Sequence, residues 1–440
     1  MGTSDRSGCM QHGYRSLLAV KFRSMRFIFE VPAYNELDHH TPVAEALLKN
    51  GHTVCFIFGD DPRLPNDPRT THLSRWTNFK FLYLSELASP FKFKIFRLLS
   101  RIFFGRPLRF TKSSSLKLGA LVLTSKMLHV VDSPELELDC AISGWGDPSS
   151  FLMISALAQS APIVALPHGY PCQKNYDFNP HVKKLRREKN GVDFSLRNQF
   201  NAYVVATERN CQLLQSWKMS SSVLHVWGNA RFSPEWTSTL RFILPNVAGT
   251  QSLRRQRVLV LLPASTSGFK TDELVALLER LSMQDIELLL KPHTREFMAS
   301  FIPGELVDYP NVTISTDDHT TKLIEYADTV LNFATGAAIE ALFMQKRFIF
   351  LKYLTENRLS WEDCAGIKVA RCENDVIEMV NDTLWTTDIE KAEPYIQDEV
   401  FAGGTVEFPA QYYAQQLVSI AASGSERSGS VMSRARVAQW

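Results

Sequence analysis

From Met25 onward, short runs of β-branched and aromatic residues alternate with segments in which apolar residues recur at helical spacing. That alternation is typical of βαβ units, which build parallel sheets. The first unit predicts a strand over 26–31, a helix over 42–50 and a second strand over 53–58. Pro42 suits the start of a helix, and Gly51 suits the turn that ends one.

The pattern continues as two series of elements. The first series predicts strands and helices over 139–143, 149–159, 162–166, 202–206, 208–217 and 223–227. The second series predicts strands and helices over 257–262, 271–283, 286–291, 311–315, 320–326, 328–332, 335–345 and 347–351. We therefore expect an α/β fold in which two Rossmann-like, doubly wound parallel-sheet domains face a central cleft. In such sheets ligands bind at the carboxyl ends of the strands.

Shifts in composition divide the chain into five parts. We expect a disordered leader over 1–24, an N-terminal domain over 25–230, a linker over 231–255, a C-terminal domain over 256–422 and a disordered tail over 423–440. The linker is rich in Ser, Thr, Pro and Asn, as hinges between domains are. The leader is basic and poor in acidic residues, which fits either a segment upstream of an alternative start at Met25 or a transit peptide.

Composition and charge exclude several classes of protein. Hydrophobic residues make up 45% and charged residues 21% of the chain, as in ordinary globular proteins. The 48 Lys and Arg nearly balance the 46 Asp and Glu, which argues against a nucleic-acid-binding surface. The 7 cysteines are scattered without paired spacing, so we expect free thiols, no zinc site and a reducing, cytoplasmic location.

One basic segment departs from the globular pattern. Between Glu86 and Asp132 every charged residue is Lys or Arg, and aromatic and aliphatic residues interleave with them. A helix there would place Lys94, Arg97 and Arg101 on one side, the pattern of an interfacial helix on anionic lipid. The segment fits a domain helix that is buried on its apolar side and has a solvated basic edge. Alternatives are peripheral contact with the inner face of a membrane through 91–112, and nucleic-acid binding without a recognisable motif.

Two adjacent histidines follow the first predicted strand. In the run over 38–42, an imidazole at the mouth of the strand could take a proton from an acceptor hydroxyl. Alternatively, His39 and His40 cap the following helix at the surface. The run resembles the first βαβ unit of two-domain glycosyltransferases, where Gly-His-x-x-Pro precedes a helix that ends in Gly-His-x-Val. His39 falls on that histidine. Asp38 replaces the glycine and His40 follows directly, so either imidazole could face the cleft.

Two further strand ends carry candidate catalytic residues. The turn over 143–150 contains glycines whose amides would favour an anion, and its Asp147 could orient a hydroxyl, act as a base or cap a helix.

The run over 166–169 ends in His168 and Gly169. It resembles the His-Gly motif of glycerophosphotransferases that polymerise teichoic acids and of related capsule-assembling transferases, which implies an active-site role for His168. Alternatively, a backbone carbonyl holds His168 in a structural role.

In the second half, Lys291, Pro292 and His293 end a predicted strand. A cation, a rigid turn and an imidazole suit a phosphate or diphosphate leaving group. The run resembles the Lys-Pro-His-Pro run of nucleotide-sugar and CDP-alcohol transferases, with Thr294 in place of the second proline. We expect Lys291 and His293 to bind the donor.

The segment over 326–341 reads as a strand, a small-residue turn and a helix. Thr335 and the amides of Gly336 and Ala337 would meet a phosphate at the positive end of that helix. Glu340, one turn further, is placed to accept from ribose hydroxyls. This sequence is similar to the donor site of the same two-domain transferases. Alternatively, it is a plain βα unit.

Together the resemblances imply a metal-independent transferase of the GT-B type, nearest to CDP-glycerol glycerophosphotransferases and capsule polysaccharide transferases. It would move a glycosyl or polyol-phosphate group from a nucleotide-activated donor to a glycan, polymer or lipid-linked acceptor during synthesis of a surface polysaccharide such as capsule or teichoic acid. No Asp-x-Asp run is present, so we expect no metal and no cofactor. The donor would bind the C-terminal domain and the acceptor the N-terminal domain, with His39 or His168 as base.

Two alternatives keep the same fold. One is an enzyme like the non-hydrolysing UDP-N-acetylglucosamine 2-epimerases, which share the Gly-Asp turn and a late Gly-x-x-x-Glu helix start. Their Arg-Pro-Glu signature after the first strand is absent. The other is a non-catalytic protein that binds a glycan or a nucleotide, suggested by the departures at Asp38 and Thr294.

Overall fold

The computed structural model of the chain describes residues 24–59, 61–83, 140–143, 161–167, 169, 172–175, 180–189, 192–247, 255–264, 268–293 and 302–435. These residues form two parallel sheets with helices around them, which confirms the predicted fold class. Asp147, His168 and the basic segment over 91–112 lie outside the described residues.

The first sheet has seven strands in the order β3-β2-β1-β4-β5-β6-β7. Their bounds are β1 Arg26–Val31, β2 Thr53–Phe58, β3 Phe79–Tyr83, β4 Cys140–Ser143, β5 Ile163–Ala165, β6 Ala202–Val205 and β7 Leu224–Val226. The second sheet has six strands in the order β10-β9-β8-β11-β12-β13. Their bounds are β8 Gln256–Leu261, β9 Ile286–Lys291, β10 Val312–Ile314, β11 Thr329–Asn332, β12 Arg347–Leu351 and β13 Lys368–Ala370.

Both sheets reverse their strand order beside their first strand. β1 pairs with β2 on one side and β4 on the other, and β8 pairs with β9 and β11 in the same way. Phe27, Phe29 and Val258 are fully buried on these strands, because helices cover both faces of a parallel sheet. The crevice at such a reversal is where open α/β sheets bind ligands. The ends of β1 and β8 therefore fix the position of the site.

Eleven described helices surround the sheets. Those of the first half are α1 Leu37–Lys49, α2 Pro68–Leu73, α3 Pro180–Lys189, α4 Glu208–Ser216 and α5 Pro234–Ile243. Those of the second half are α6 Thr271–Ser282, α7 Thr320–Tyr326, α8 Ile339–Phe343, α9 Glu373–Asn381, α10 Ile389–Val400 and α11 Pro409–Ala435. Among the described residues, no helix combines the length and the apolar character that crossing a bilayer requires.

Helix α1 begins five residues before the predicted start at 42, so Pro42 lies inside it. An interior proline costs a backbone hydrogen bond. Residues Leu37–Leu48 are nevertheless all buried, and this packing outweighs the local preference. His39 and His40 thus belong to the first turns of a buried helix rather than to a loop or a surface cap.

The last helix joins a domain other than the one the sequence predicts. α11 was expected at the end of the C-terminal domain, yet Tyr413, Ala414 and Leu417 are buried in the core of the first sheet. Packing of its apolar face against α1 determines this position. The helix continues to Ala435, into the tail expected to be disordered, and α5 occupies part of the predicted linker.

Candidate functional site

Two adjoining cavities lie between the domains, near the carboxyl ends of β1 and β8. The turn cavity has a volume of about 220 Å³ and is named for the turn over 335–337 in its wall. The acidic cavity has a volume of about 330 Å³ and is named for Asp67, Asp317 and Asp318 in its wall. Both walls contain Asp38, Lys291, Pro292, His293 and Thr320. A ligand spanning the two cavities would therefore touch both domains.

The turn over 335–337 presents polar groups that have no partner within the described parts of the chain. The buried Asn332 side chain shapes it: Oδ1 accepts from the Thr335 amide at 3.0 Å, and Nδ2 donates to the Thr335 carbonyl at 3.1 Å. The Thr335 hydroxyl is buried, and none of the described side chains or backbone groups forms a hydrogen bond with it. The amides of Gly336 and Ala337 donate to no acceptor among the described residues. Since buried polar groups are normally paired, the turn is prepared to bind an acceptor such as a phosphate oxygen.

Lys291 and His293 line both cavities, as β9 ends there. The Lys291 side chain is buried, and its Nζ donates to the Thr316 carbonyl at 2.8 Å. Burial lowers the pKa of Lys291 to about 8, although Asp318 and Asp317 act in the opposite direction. The ammonium is therefore present at neutral pH and is lost within a pH range that experiments can reach.

The adjacent histidines of α1 have different surroundings. His39 lines the turn cavity together with the 335–337 turn. His40 is fully buried, with its ring centroid 5.5 Å from that of Phe29, and no described residue forms a hydrogen bond with either ring nitrogen. Burial lowers the pKa of His40 to about 3. Successive residues of a helix point about 100° apart, so only one of the pair can face the cleft. The structure places His39 there and His40 in the core, away from the cavity.

An ionic cluster of Asp38, Asp67, Arg69, Arg231, His319 and Glu340 joins the two domains beside the turn cavity. Asp38 contacts the fully buried Arg69, lies 3.2 Å from Arg231 Nη1 and lies 3.2 Å from His319 Nε2. Burial alone would raise the pKa of Asp38, but the guanidiniums of Arg231 and Arg69, with His319, hold it well below its usual value. Asp38 is thus ionised at neutral pH, and it is tied to three separate segments of the chain.

Glu340 belongs to this cluster rather than to the surface of the cavity. Its Oε1 lies 3.3 Å from Arg231 Nη2, and its Oε2 accepts from the Thr321 hydroxyl at 2.5 Å. The residue is 1% exposed and is absent from the walls of both cavities. The expected contact of Glu340 with a ribose hydroxyl would therefore require both bonds to rearrange. Here Glu340 holds Arg231 and α7 instead.

The segment after β5 crosses to the C-terminal domain. The Lys174 amide donates to the Arg358 carbonyl at 2.8 Å, and the Ser360 amide donates to the Cys172 carbonyl at 2.7 Å. Gly169, next to the candidate His168, lines the turn cavity. Gly169 thus lies at the cavity, and the segment over 172–175 is hydrogen-bonded to the opposite domain.

The sequence predicts one polar wall of the turn cavity but not the ionic cluster beside it. His39, Lys291, His293, Thr335, Gly336 and Ala337 come together in one wall, as expected. Arg231 and His319 were not identified, and Asp38 was noticed only as a departure from a motif. Arg231 falls at the edge of the predicted linker, where no spacing rule points to it. Among the described residues, no three His, Cys, Asp or Glu side chains converge on a metal site, and the absence of a cofactor stays a prediction.

No protein-family model matches the sequence, and the curated proteins include no significant match. Solved structures do match in fold. A glycosyltransferase from Rickettsia africae is 15% identical, with 92% of this chain and 99% of that chain covered at a TM-score of 0.50. A putative UDP-N-acetylglucosamine 2-epimerase from Listeria monocytogenes is 11% identical, with 90% and 95% covered at a TM-score of 0.53. At these identities the likeness concerns architecture alone, and the chain has the two-domain GT-B fold of such enzymes.

Proposed function

We propose that this chain is an enzyme that uses a nucleotide-activated donor, and that it transfers a glycosyl or polyol-phosphate group to a hydroxyl-bearing acceptor. The observation that carries the proposal is the wall of the turn cavity. There a hydroxyl and two amides that no described residue pairs with, an ammonium and two imidazoles surround one space between the domains. The hydroxyl, the amides, the ammonium and one imidazole suit the stabilisation of a phosphate that gains negative charge as it leaves. The other imidazole suits proton transfer.

The roles divide between the two domains. On the C-terminal side, the 335–337 turn and Lys291 bind the leaving phosphates, and His293 donates to them. On the N-terminal side, His39 acts as general base toward the acceptor hydroxyl, because it reaches the same cavity from α1. The acidic cavity adjoins this point and offers room for the acceptor. The reaction needs no resident metal in this scheme, since protein groups supply the positive charge.

The first experiment measures nucleotide binding. The melting temperature of the full chain is recorded with UDP, CDP, GDP and TDP, because a ligand that binds only the folded state raises it. We expect at least one nucleotide to do so, and His293→Ala to weaken its affinity. His225→Ala is the matched control, since His225 on β7 lines neither cavity. If no nucleotide binds the wild-type chain, the proposed function is wrong.

Epimerisation is the second candidate, because the fold is shared with a putative 2-epimerase. Incubation with UDP-N-acetylglucosamine alone separates the reactions. An epimerase converts the sugar without any acceptor, whereas a transferase leaves it intact or slowly hydrolyses it. Formation of the 2-epimer at a steady rate would replace the transfer proposal.

We further propose a surface polysaccharide or teichoic-acid-like polymer as the acceptor, and peripheral attachment to anionic membranes through 91–112. Both ideas rest on the sequence. Cosedimentation with vesicles containing phosphatidylglycerol tests the attachment: it should weaken when Arg97 and Arg101 are both changed to Glu. Equal sedimentation of both proteins would remove the membrane from the proposal.

A further inference from the structure

Arg231 lies where the two domains and the linker meet, and it lines the turn cavity. It belongs to the single-turn helix Ala230–Phe232, between β7 and α5. Its guanidinium reaches Asp38 on α1 in one direction and Glu340 on α8 in the other. One side chain therefore touches the N-terminal domain, the C-terminal domain and the cavity between them.

The contacts of Arg231 leave part of the hydrogen-bonding capacity of its guanidinium unused. The two nitrogen–oxygen distances are 3.2 and 3.3 Å, longer than the roughly 2.7–2.9 Å of strong charge-assisted hydrogen bonds. Its Nε is buried, and no described residue forms a hydrogen bond with it. A planar guanidinium is best satisfied by two parallel bonds to one carboxylate or phosphate. Arg231 makes no such pair of bonds with the part of the chain that the structure describes.

Both carboxylates can release Arg231 without losing all of their partners. Asp38 keeps Arg69 and the His319 contact at 3.2 Å. Glu340 keeps the hydroxyl of Thr321 at 2.5 Å. Asp38 thus keeps a cationic partner, and Glu340 keeps a hydrogen-bond donor, when Arg231 leaves. The negative charge that Glu340 retains would then be compensated by Arg231 only at a distance, so the exchange requires a ligand that binds the guanidinium strongly.

Arg231 brings a second cationic group to the wall of the turn cavity. Lys291 is the other Lys or Arg that the structure describes in that wall, and burial lowers its pKa to about 8. A guanidinium presents parallel N–H donors to a phosphate, which an ammonium cannot do. A diphosphate entering the turn cavity would therefore meet both side chains.

We propose that Arg231 binds the phosphates of the nucleotide donor by exchanging its contacts with Asp38 and Glu340 for a bidentate contact with the donor. This inference rests on the proposed function and adds a phosphate-binding residue from the linker to it. The exchange moves no proton and breaks no covalent bond. It removes the bridges from Arg231 to α1 and α8, so occupancy of the cavity changes how the two domains are held together.

The test compares a nucleotide with its nucleoside. Affinities of UDP and uridine, and of CDP and cytidine, are measured by calorimetry on wild type, Arg231→Gln and Arg231→Lys. Removal of a contact between a guanidinium and a phosphate should weaken UDP or CDP about 10- to 100-fold. Uridine and cytidine, which lack phosphate, should bind as they do to the wild type. Arg231→Lys, which keeps the charge without the bidentate geometry, should lie in between.

Arg209→Gln is the matched control. Arg209 forms another bridge between the domains, 2.8 Å from Glu399, and lines neither cavity. It should leave nucleotide affinity unchanged. Arg231→Lys carries the test alone if Arg231→Gln does not fold.

Three outcomes would count against the proposal. If Arg231→Gln, or Arg231→Lys in its place, binds the nucleotide as tightly as wild type, Arg231 is not a phosphate ligand and the proposed function stands. If nucleotide and nucleoside weaken equally, or Arg209→Gln has the same effect, Arg231 only holds the domains together. If wild type binds no nucleotide, the proposed function itself fails.

Discussion

Two groups of buried polar side chains meet at the cleft, and they differ in how far the protein satisfies them. In the ionic cluster, Asp38 and Arg69 are each bound by more than one partner of opposite charge. In the 335–337 turn, the Thr335 hydroxyl and two amides are bound by none of the described residues. Satisfied groups stabilise the arrangement of the domains, whereas unsatisfied ones cost stability until a ligand arrives. The contrast separates residues that hold the site together from residues that bind substrate.

The largest expected effect distinguishes two neighbours in sequence. The assay uses a donor that carries the nucleotide identified by the binding screen. His39→Gln should lower the turnover of this donor about 10²- to 10⁴-fold, because it removes the proposed general base. The affinity of the variant for the nucleotide should change little. The matched variant His40→Leu alters a histidine buried against Phe29 and should leave turnover close to wild type. Turnover is measured as release of free nucleotide with and without acceptor. A larger loss for His40→Leu than for His39→Gln would reverse the assignment.

Asp38→Ala tests whether the ionic cluster stabilises the folded protein. The variant leaves Arg69 and Arg231 without a shared carboxylate, and loss of one partner of a buried ion pair costs about 3–5 kcal/mol. Urea unfolding at pH 7 measures the loss in free energy of unfolding. Since the folded-state pKa of Asp38 is well below its usual value, its stabilisation is fully present above the unfolded pKa and is lost as the pH falls through the folded one. The difference between variant and wild type should therefore shrink in acid. A variant as stable as wild type at pH 7 would show that the cluster does not stabilise the fold.

The pH dependence of nucleotide affinity tests whether Lys291 belongs to the residues that bind substrate. Its pKa of about 8 means that the ammonium is present below that pH and is lost above it. Nucleotide affinity should be constant up to about pH 7 and then fall about tenfold by pH 9, as a charged hydrogen bond is lost. Titration calorimetry at several pH values measures the trend. Lys291→Arg should abolish the step, because a guanidinium stays charged. The same fall in Lys291→Arg would assign the titration to another group.

Thr335→Val has the smallest expected effect and tests the turn directly. The substitution replaces an unpaired hydroxyl with a methyl group of similar size, so the ligand-free protein should be as stable as wild type or slightly more stable. Nucleotide affinity should fall about 2- to 10-fold, the range of one neutral hydrogen bond. Thermal unfolding and calorimetry on the same samples give both values. Lower stability without a change in affinity would place Thr335 in the group of structural residues.

The sequence predicts best what depends on neighbours along the chain. The alternation of strands and helices, and the turn at Thr335 after β11, are local patterns. β3 escaped prediction because it lies at the sheet edge and is half exposed, with Lys80 inside it. The ionic cluster was not predicted from the sequence for another reason. Asp38, Arg231 and Glu340 are far apart in sequence and come together only when both sheets have formed. The position of α11 likewise depends on packing that no local pattern encodes.

The segment Cys172–Asn175 is hydrogen-bonded to residues 358–360 of the opposite domain, and these bonds restrict how the cleft between the domains can open. A second point of attachment lies where the Asn229 amide donates to the Val400 carbonyl at 2.8 Å. Gly228 is needed there, because a Cβ would lie 2.3 Å from the same carbonyl oxygen. A rotation about the line through these two backbone attachments would keep both, and it would have to break the Asp38–His319 and Arg231–Glu340 contacts, which also join the domains. The cleft would then open by a hinge rotation about that line, rather than by translation of the two domains away from each other.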